Sequence, residues 1–310
     1  MRIRTIARLE ELSVTPKQAR PTLNHPVPEP QEGTRLESDE EIRQALQARR
    51  ARLAALAAPA RPGAGAQAKA PMAVPVETDP QAEHPVLRPP VALLCVLDDG
   101  KIDGEWVRLR ADRTVIGRTE GDVRIPHDGA VSGQHAELIR QRVGNGFRWA
   151  LVDLKSTNGT FVRIGSTFLR NENEFLIGSG RYRFEAATAA VTLPPPGTPL
   201  QSTQPWSGAP IHSLVPSLVE IGTDGPLRRI NLTLPEYWIG RDAKSCPIAR
   251  PDDILVNARH ARLYRDAKGQ WHIENNKSLN GLWLRIVEPM PLGSACQFRM
   301  GEQRFIFRMK

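Results

Sequence analysis

The 310-residue sequence has few cysteines and no long apolar run. Its three cysteines, Cys95, Cys246 and Cys296, form no C-x-x-C motif and leave an odd thiol in any disulfide scheme, so they predict small buried residues rather than a disulfide framework or a metal site. The longest strictly apolar run, at 91–97, is far too short to span a bilayer, and the first 15 residues contain charges throughout, unlike a signal peptide. The sequence therefore predicts a cytoplasmic chain with no membrane insertion, no metal and no cofactor.

Aromatic residues and dense basic runs are also scarce. Phe, Trp and Tyr make up 5% of the chain, and the net charge of +8 comes mostly from residues 211–310, which hold 15 basic and 10 acidic side chains. This modest excess suits an acidic or phosphorylated protein partner, and without interleaved aromatics it argues against nucleic-acid binding. No nucleophile or carboxylate accompanies a histidine at a defined spacing, so the sequence predicts no enzymatic activity.

Two segments have a composition that does not favour a hydrophobic core. Residues 1–84 are rich in Pro, Ala, Gln and Glu, which predicts a mostly disordered segment. Within it, the capping box S-D-E-E and the helix formers after it predict a helix over 39–57. Arg49 interrupts its apolar stripe, which favours a solvated single helix, with docking on a partner as the alternative. The uncharged, Pro-rich residues 189–211 predict an extended linker.

The rest of the chain is an internal repeat. The first copy contains V-I-G-R at 115–118, V-S-G-Q-H-A at 131–136, K-S-T-N-G at 155–159 and F-L-I-G-S-G-R-Y-R-F at 175–184. The second copy contains W-I-G-R at 238–241, V-N-A-R-H-A at 256–261, K-S-L-N-G at 277–281 and F-R-M-G-E-Q-R-F-I-F at 298–307. Four motifs recur in the same order at similar spacing, which chance does not explain.

Between these motifs, apolar and polar residues alternate over short runs that are broken by D-D-G, N-G and G-S-G. Such runs predict many short antiparallel strands, and neither copy shows strong helical periodicity. The predicted fold class is all-β, with two antiparallel β-sandwich domains in tandem at 85–188 and 212–310. Taken alone, Asn158-Gly159 predicts the turn of a hairpin.

The order G-R, S-x-x-H, T-N-G in a small all-β domain resembles the forkhead-associated (FHA) family, whose sandwich binds phosphothreonine peptides through loops at one end. The resemblance covers 85–188 well and 212–310 in degraded form. It implies a non-catalytic adaptor in Ser/Thr-kinase signalling, with the ligand bound by the first domain. The high Ala, Arg and Pro content suggests a GC-rich bacterial source, where such domains accompany Ser/Thr kinases.

The resemblance also assigns residues in the first copy. Arg118, Ser132 and Thr157 would donate charge-assisted hydrogen bonds to the phosphate, and the Asn158 amide would hold the peptide backbone. Three further residues are expected to be structural: Gly117, His135 and Gly159. Three others are candidates for the peptide groove: Lys155, Ser156 and Gly133. For Lys155 a solvated position is the alternative, and Gly133 replaces a side chain that many relatives use to contact the ligand.

The second copy keeps only part of this set. Arg241 and Asn280 match the first copy, but Asn257 stands in place of Ser132 and Leu279 in place of Thr157. Leu279 cannot donate a hydrogen bond, and each such bond to a charged group contributes roughly 1.5–3 kcal/mol. The sequence therefore predicts a weak or degenerate second site.

The implied partner is a phosphothreonine-containing protein or a Ser/Thr kinase. A phosphorylated threonine of the N-terminal tail could occupy the first site within the same molecule; the candidates are Thr5, Thr15, Thr22, Thr34 and Thr78. The alternative hypothesis is a phosphate-independent scaffold that assembles partners through the surfaces of its two sandwiches.

Overall fold

The computed structural model describes residues 33–57, 91–98, 101, 103–144, 146–188 and 214–309. The predicted linker lies outside these ranges, as do most residues of the predicted disordered segment. The described part is mostly β-strand, with a single helix. The N-terminal segment forms β1 (Arg35–Leu36) and α1 (Asp39–Ala57), and α1 has the bounds that the capping box predicts.

The first repeat contributes nine strands to the described part: β2 (Ala92–Leu97), β3 (Gly104–Leu109), β4 (Arg113–Gly117), β5 (Val123–Arg124), β6 (Ala136–Val143), β7 (Gly146–Asp153), β8 (Thr160–Phe168), β9 (Glu174–Ile177) and β10 (Gly180–Glu185).

The second repeat contributes ten: β11 (Ser217–Gly222), β12 (Gly225–Asn231), β13 (Glu236–Gly240), β14 (Ile248–Ala249), β15 (Ala261–Arg265), β16 (Trp271–Asn275), β17 (Leu282–Arg285), β18 (Met290–Leu292), β19 (Ala295–Met300) and β20 (Gln303–Arg308). The predicted all-β fold with antiparallel sheets is thereby confirmed.

The strand pairing joins the two repeats. The first strand of the first repeat, β2, pairs with the last strand of the second, β20, while β11 pairs with β10. In the same way, β18 of the second repeat extends a five-stranded sheet of the first, in the order β18-β7-β6-β4-β5. Each repeat has therefore exchanged its C-terminal strands with the other.

We call the two resulting units sandwich A and sandwich B. Sandwich A contains β2–β7, the first half of β8 and β18–β20; sandwich B contains the second half of β8 and β9–β17. The strands β8 and β17 run antiparallel where the units meet, with Val162 opposite Leu284, and fuse their sheets into one of 15 strands. The ranges 85–188 and 212–310 thus describe the predicted sequence repeats. They do not describe the sandwiches, because each sandwich contains strands from both repeats.

The exchange has a simple physical basis. Both repeats have the same strand order and the same alternation of side chains, so the C-terminal strands of either can complete either sandwich. β8 stays extended across Gly165, which carries the chain into the neighbouring unit instead of turning it back. Aromatic rings then pack across the repeats: Trp149 and Phe307 have ring centroids 5.6 Å apart in sandwich A.

The N-terminal segment is docked where the repeats cross. The capping box forms as predicted, since Glu41 N–H donates to Ser38 Oγ at 3.2 Å and Ser38 N–H donates to the Glu41 carboxylate at 2.7 Å. Ile42 is 1% exposed, and Leu46 packs against a cluster in sandwich A: Cys95, Leu97 and Ile306. The prediction of a solvated helix is therefore wrong for the first turns of α1.

A buried ion pair fixes this segment. Glu37 and Arg163 are each 4% exposed, with Oε2 and Nε 2.5 Å apart. Arg163 also donates to Ser278 O at 3.1 Å and to Gln297 Oε1 at 3.2 Å, and Asn275 Nδ2 donates to Glu37 Oε1 at 2.6 Å. Buried charges are tolerated when such hydrogen bonds surround them. The cluster links the N-terminal segment to both repeats.

The three cysteines are buried and free, as the sequence predicts. Burial raises the pKa of Cys95 to about 11 and that of Cys296 to about 12, so both thiols are mostly protonated at neutral pH. Among the described residues, no helix has both the length and the apolar character needed to cross a membrane.

Candidate functional site

Three loops meet at one end of sandwich A, each between consecutive strands of the first repeat. They join β4 to β5, β5 to β6, and β7 to β8. The last of these contains Asn158-Gly159 and leads from the five-stranded sheet to the large one, so β7 and β8 do not pair. The hairpin prediction for Asn158-Gly159 is therefore wrong, because the turn crosses between the two layers. We call this surface loop end A.

Hydrogen bonds bring the predicted phosphate-contacting residues together. Arg118 N–H donates to Ser132 O at 2.9 Å, and Thr157 N–H donates to Ser132 Oγ at 3.1 Å. Asn158 Nδ2 donates to Ala130 O at 2.8 Å, which ties the third loop to the second. Four residues from three separate stretches of sequence thus lie on one surface.

His135 holds the loops together from inside. Its Nδ1 accepts the N–H of Ser132 at 3.0 Å, so the ring proton is on Nε2, which donates to Gly159 O at 3.2 Å. Burial lowers the pKa of His135, which favours this neutral form. The side chain is 0% exposed, in keeping with a structural role.

Two glycines allow the close approach of these loops. A Cβ on Gly117 would lie 2.1 Å from Gly133 O. Gly159 has a φ of +84°, and a Cβ there would lie 2.6 Å from Nε of Arg285, which belongs to the second repeat. A larger residue at Gly117 would force the loops apart, whereas at Gly159 it would be strained by the positive φ and would displace the Arg285 side chain.

The loop from 153 to 159 separates exposed from buried side chains. Lys155 is exposed, with a φ of 58°, whereas Ser156 is 7% exposed. Ser156 Oγ donates to the Asp153 carboxylate at 2.6 Å and accepts Gly159 N–H at 3.0 Å. Ser156 therefore orders the loop and does not line a groove, which corrects the prediction. Asp153, three residues earlier, could have been found as the acceptor of an Asx turn.

Loop end A presents donors for an anion and one amide acceptor. The Arg118 guanidinium is exposed and forms no ion pair with a described residue. Thr157 and Asn158 are exposed and Ser132 is half-buried; the Ser132 hydroxyl accepts from Thr157 and can still donate its own proton. A guanidinium beside two hydroxyls can bind a tetrahedral oxyanion. Asn158 Oδ1 can accept a hydrogen bond from a peptide N–H.

Asp128 is a positioning residue that the sequence reasoning missed. Its carboxylate accepts Ala130 N–H at 2.9 Å, and also Glu302 N–H at 2.7 Å and Gln303 N–H at 3.1 Å. The turn from 301 to 303 belongs to the second repeat, so no pattern within the first repeat shows this contact. The second repeat therefore supports the loop that carries Ser132.

Comparison with known proteins finds one family. The family model of the FHA domain matches residues 114–178 and 237–301. Each repeat is thus similar to an FHA domain over these residues. Both matches fall within the repeats that the sequence defines, and the first contains every predicted phosphate-contacting residue.

The relatives are distant. A stretch of 50 residues is 40% identical to the bovine E3 ubiquitin-protein ligase RNF8, covering 16% of this chain and 9% of that protein. A structure from an analysis of phosphothreonine-dependent FHA domain interactions is 15% identical, covering 71% of this chain and 97% of that one, with a TM-score of 0.26. The yeast Dun1 FHA domain, bound to a doubly phosphorylated peptide, is 22% identical, covering 44% and 96%, with a TM-score of 0.20.

The second repeat keeps the same loop framework, on a surface of sandwich B that we call loop end B. His260 Nδ1 accepts Asn257 N–H at 3.2 Å and its Nε2 donates to Gly281 O at 3.0 Å. Burial lowers the pKa of His260 to about 4. Arg241 N–H donates to Asn257 O at 2.9 Å, and Asn280 Nδ2 to Leu255 O at 2.7 Å. Within the framework, Asn275 takes the place of Asp153 and accepts the Ser278 hydroxyl at 2.5 Å.

Proposed function

We propose that loop end A binds phosphothreonine peptides and that the chain is a non-catalytic adaptor in Ser/Thr-kinase signalling. The observation that carries the proposal is the exposed Arg118 guanidinium, which forms no ion pair with a described residue. The backbone of Arg118 is hydrogen-bonded to Ser132, and Ser132 is hydrogen-bonded to Thr157. A phosphate group with a charge near −2 needs charge-assisted donors of this kind. The family adds support, since a solved FHA domain is described with a phosphorylated peptide.

Asn158 supports a peptide as the ligand rather than a free anion. Its Nδ2 is held by Ala130 O, so the orientation of the amide is fixed and Oδ1 is directed by the loop framework. A fixed amide next to the anion site can accept a backbone N–H of an extended chain. A single anchor and a short extended peptide correspond to micromolar affinity, about −8 kcal/mol.

The proposed partner is a phosphothreonine-containing protein or a Ser/Thr kinase. The N-terminal tail of the same chain is a narrower proposal. The Thr34 hydroxyl lies 2.8 Å from that of Thr167, on β8, so Thr34 is engaged away from the loops. Thr5, Thr15, Thr22 and Thr78 lie outside the described residues.

A peptide titration of the full chain tests the proposal. Arg118→Ala should weaken binding of phosphothreonine peptides about a hundredfold or more, because it removes a bidentate charged donor. The matched control is Arg241→Ala, at the equivalent position of the second repeat, which should leave the dissociation constant unchanged. Equal affinities for wild type and Arg118→Ala would overturn the assignment. A phosphoserine peptide should bind more weakly than its phosphothreonine equivalent.

A phosphate-independent scaffold would behave differently in a pull-down. Its partners would remain bound after phosphatase treatment, whereas an adaptor that reads phosphothreonine would lose them. Retention of every partner by the Arg118→Ala chain would favour the scaffold.

A further inference from the structure

Loop end B has the framework of loop end A but different surface chemistry. Lys277 has a φ of 50° and Gly281 a φ of +77°, against 58° and +84° at the equivalent Lys155 and Gly159. The hydrogen bonds of the two histidines and the two asparagines also match within 0.2 Å. The second repeat has therefore kept the loop conformation, independently of any affinity for phosphate.

The surface residues on this framework have become apolar. Gly129 and Ala130 of the first repeat are replaced by Ile254 and Leu255, and Thr157 is replaced by Leu279. Ile254 is 71% exposed and Leu255 is 39% exposed. The Asn280 amide ties Leu255 and Leu279 to one surface, since its Nδ2 bonds to Leu255 O. Adjacent exposed aliphatic side chains on an ordered loop are typical of protein contact surfaces.

Basic side chains surround this apolar surface. Four are exposed and form no ion pair with a described residue: Arg241, Lys244, Arg259 and Lys277. Two carboxylates on the same loops, Asp242 and Asp252, are also exposed, so the four exposed cations outnumber them. Asp253 is half-buried and accepts the Ser179 hydroxyl at 2.7 Å. The charge complement of this surface is therefore an acidic segment.

The retained asparagine indicates which kind of acidic molecule fits. Asn280 has the same fixed amide as Asn158, with Nδ2 bound to a loop carbonyl and Oδ1 available to accept a backbone N–H. A free anion has neither an apolar side chain for Ile254 and Leu279 nor a backbone donor. An extended peptide has both.

We propose that loop end B binds an extended, unphosphorylated peptide segment in which an apolar side chain is flanked by carboxylates. The apolar side chain packs on Ile254 and Leu279, the peptide backbone bonds to Asn280, and the carboxylates meet Arg241 and Arg259. The two repeats would then read different ligands through one loop framework. This proposal does not depend on phosphothreonine binding by loop end A.

Fluorescence anisotropy with the full chain tests this proposal. The probes are short, labelled, unphosphorylated peptides with a central Leu flanked by Glu, and matched peptides with Lys for Glu or Ser for Leu. The peptides with Leu flanked by Glu should bind. Added salt should weaken this binding, because it screens the attraction between the Glu carboxylates and the basic side chains. Ile254→Ser and Leu279→Ser should each reduce the affinity about tenfold, since each removes an apolar contact. Arg118→Ala, at the other loop end, should leave it unchanged.

Thermal melting of each variant provides the control for folding, and Ile254→Ser is expected to melt like wild type because its side chain is exposed. Equal binding of the Lys-flanked or Ser-centred peptides would overturn the proposal, as would variants that bind like wild type. Phosphothreonine binding that persists in Arg118→Ala and is lost in Arg241→Ala would instead make loop end B a phosphate site. Self-association abolished by Ile254→Ser would make the ligand a second copy of the chain. Either result contradicts the proposal.

Discussion

Loop ends A and B share a framework of hydrogen bonds and differ in the side chains at their surface. The comparison therefore separates the residues that fix the loop conformation from the residues that would contact a ligand. The buried histidines and the hydrogen-bonded asparagine amides are equivalent in both. The exposed Thr157 hydroxyl has become Leu279, and Ser132 has become Asn257. No bond equivalent to Thr157 N–H to Ser132 Oγ is formed at Asn257 among the described residues. Ligand chemistry can therefore change while the fold of the loops stays the same.

The junction between the repeats shows a second contrast. Arg285 of the second repeat has Glu174 as its partner, with Nη1 and Oε2 3.0 Å apart. The equivalent arginine of the first repeat, Arg163, meets the neutral Gln297, and Glu37 of the N-terminal segment supplies the carboxylate. The segment before α1 thus supplies to Arg163 the carboxylate that β9 of the first repeat supplies to Arg285.

The largest expected effect tests whether the strands are exchanged at all. Cys95 of β2 lies opposite Ile306 of β20. Ile306→Cys should form a disulfide with Cys95 under mild oxidation, because directly opposed Cα atoms on antiparallel strands lie about 4.5–5.5 Å apart, within disulfide range. The disulfide is detected by peptide mapping of the monomer band from a non-reducing gel.

The matched control places the cysteine at the equivalent position of the first repeat, Arg183→Cys. It should not cross-link to Cys95, since Arg183 lies opposite Val219 in sandwich B. A disulfide between Cys95 and the cysteine introduced by Arg183→Cys would mean that the first repeat closes on itself, contrary to the exchange.

The next effect concerns the surface residues of loop end A. Ser132→Asn with Thr157→Leu gives loop end A the residues of loop end B. Phosphothreonine-peptide affinity should fall by about one to three orders of magnitude, because one charged hydrogen bond is lost and another is weakened. Calorimetric titration measures the change. An unchanged affinity would show that these two positions do not explain the difference between the repeats.

The N-terminal ion pair should affect stability more than its counterpart. Glu37→Gln leaves the buried Arg163 without a carboxylate and should lower the unfolding free energy by about 3 kcal/mol, whereas Glu174→Gln acts on the more exposed Arg285 and should cost less. Urea denaturation of the full chain measures both. A larger loss for Glu174→Gln would contradict the role given to the N-terminal segment.

The smallest effect is a pH dependence. The pKa of His260 is about 4 in the folded chain against 6.5 for an unperturbed histidine, so only the unfolded chain gains this proton as pH falls below 6.5. Stability should therefore decrease by about 1 kcal/mol between pH 7 and 5.5 through His260. His260→Gln should flatten the slope of melting temperature against pH. Identical slopes for wild type and His260→Gln would contradict the claim that His260 is a buried, neutral imidazole.

The sequence by itself determined the local structure and the contents of the site. Period-two alternation specified strands and the capping box specified α1, while the resemblance to the FHA family implied that Arg118, Ser132, Thr157 and Asn158 lie at one end of a sandwich. These features depend on contacts between residues that are near in sequence, or on motifs that occur in both repeats.

Only the tertiary structure decided which strand pairs with which. The two repeats present equivalent edges, so alternation cannot tell β10 from β20 as the partner of β2, and the exchange is invisible in either repeat alone. The same holds for Asp128, whose amide donors lie in the other repeat, and for α1, whose Ile42 is buried against strands far away in sequence. Local pattern specifies each strand and each loop, whereas long-range packing selects among equivalent partners.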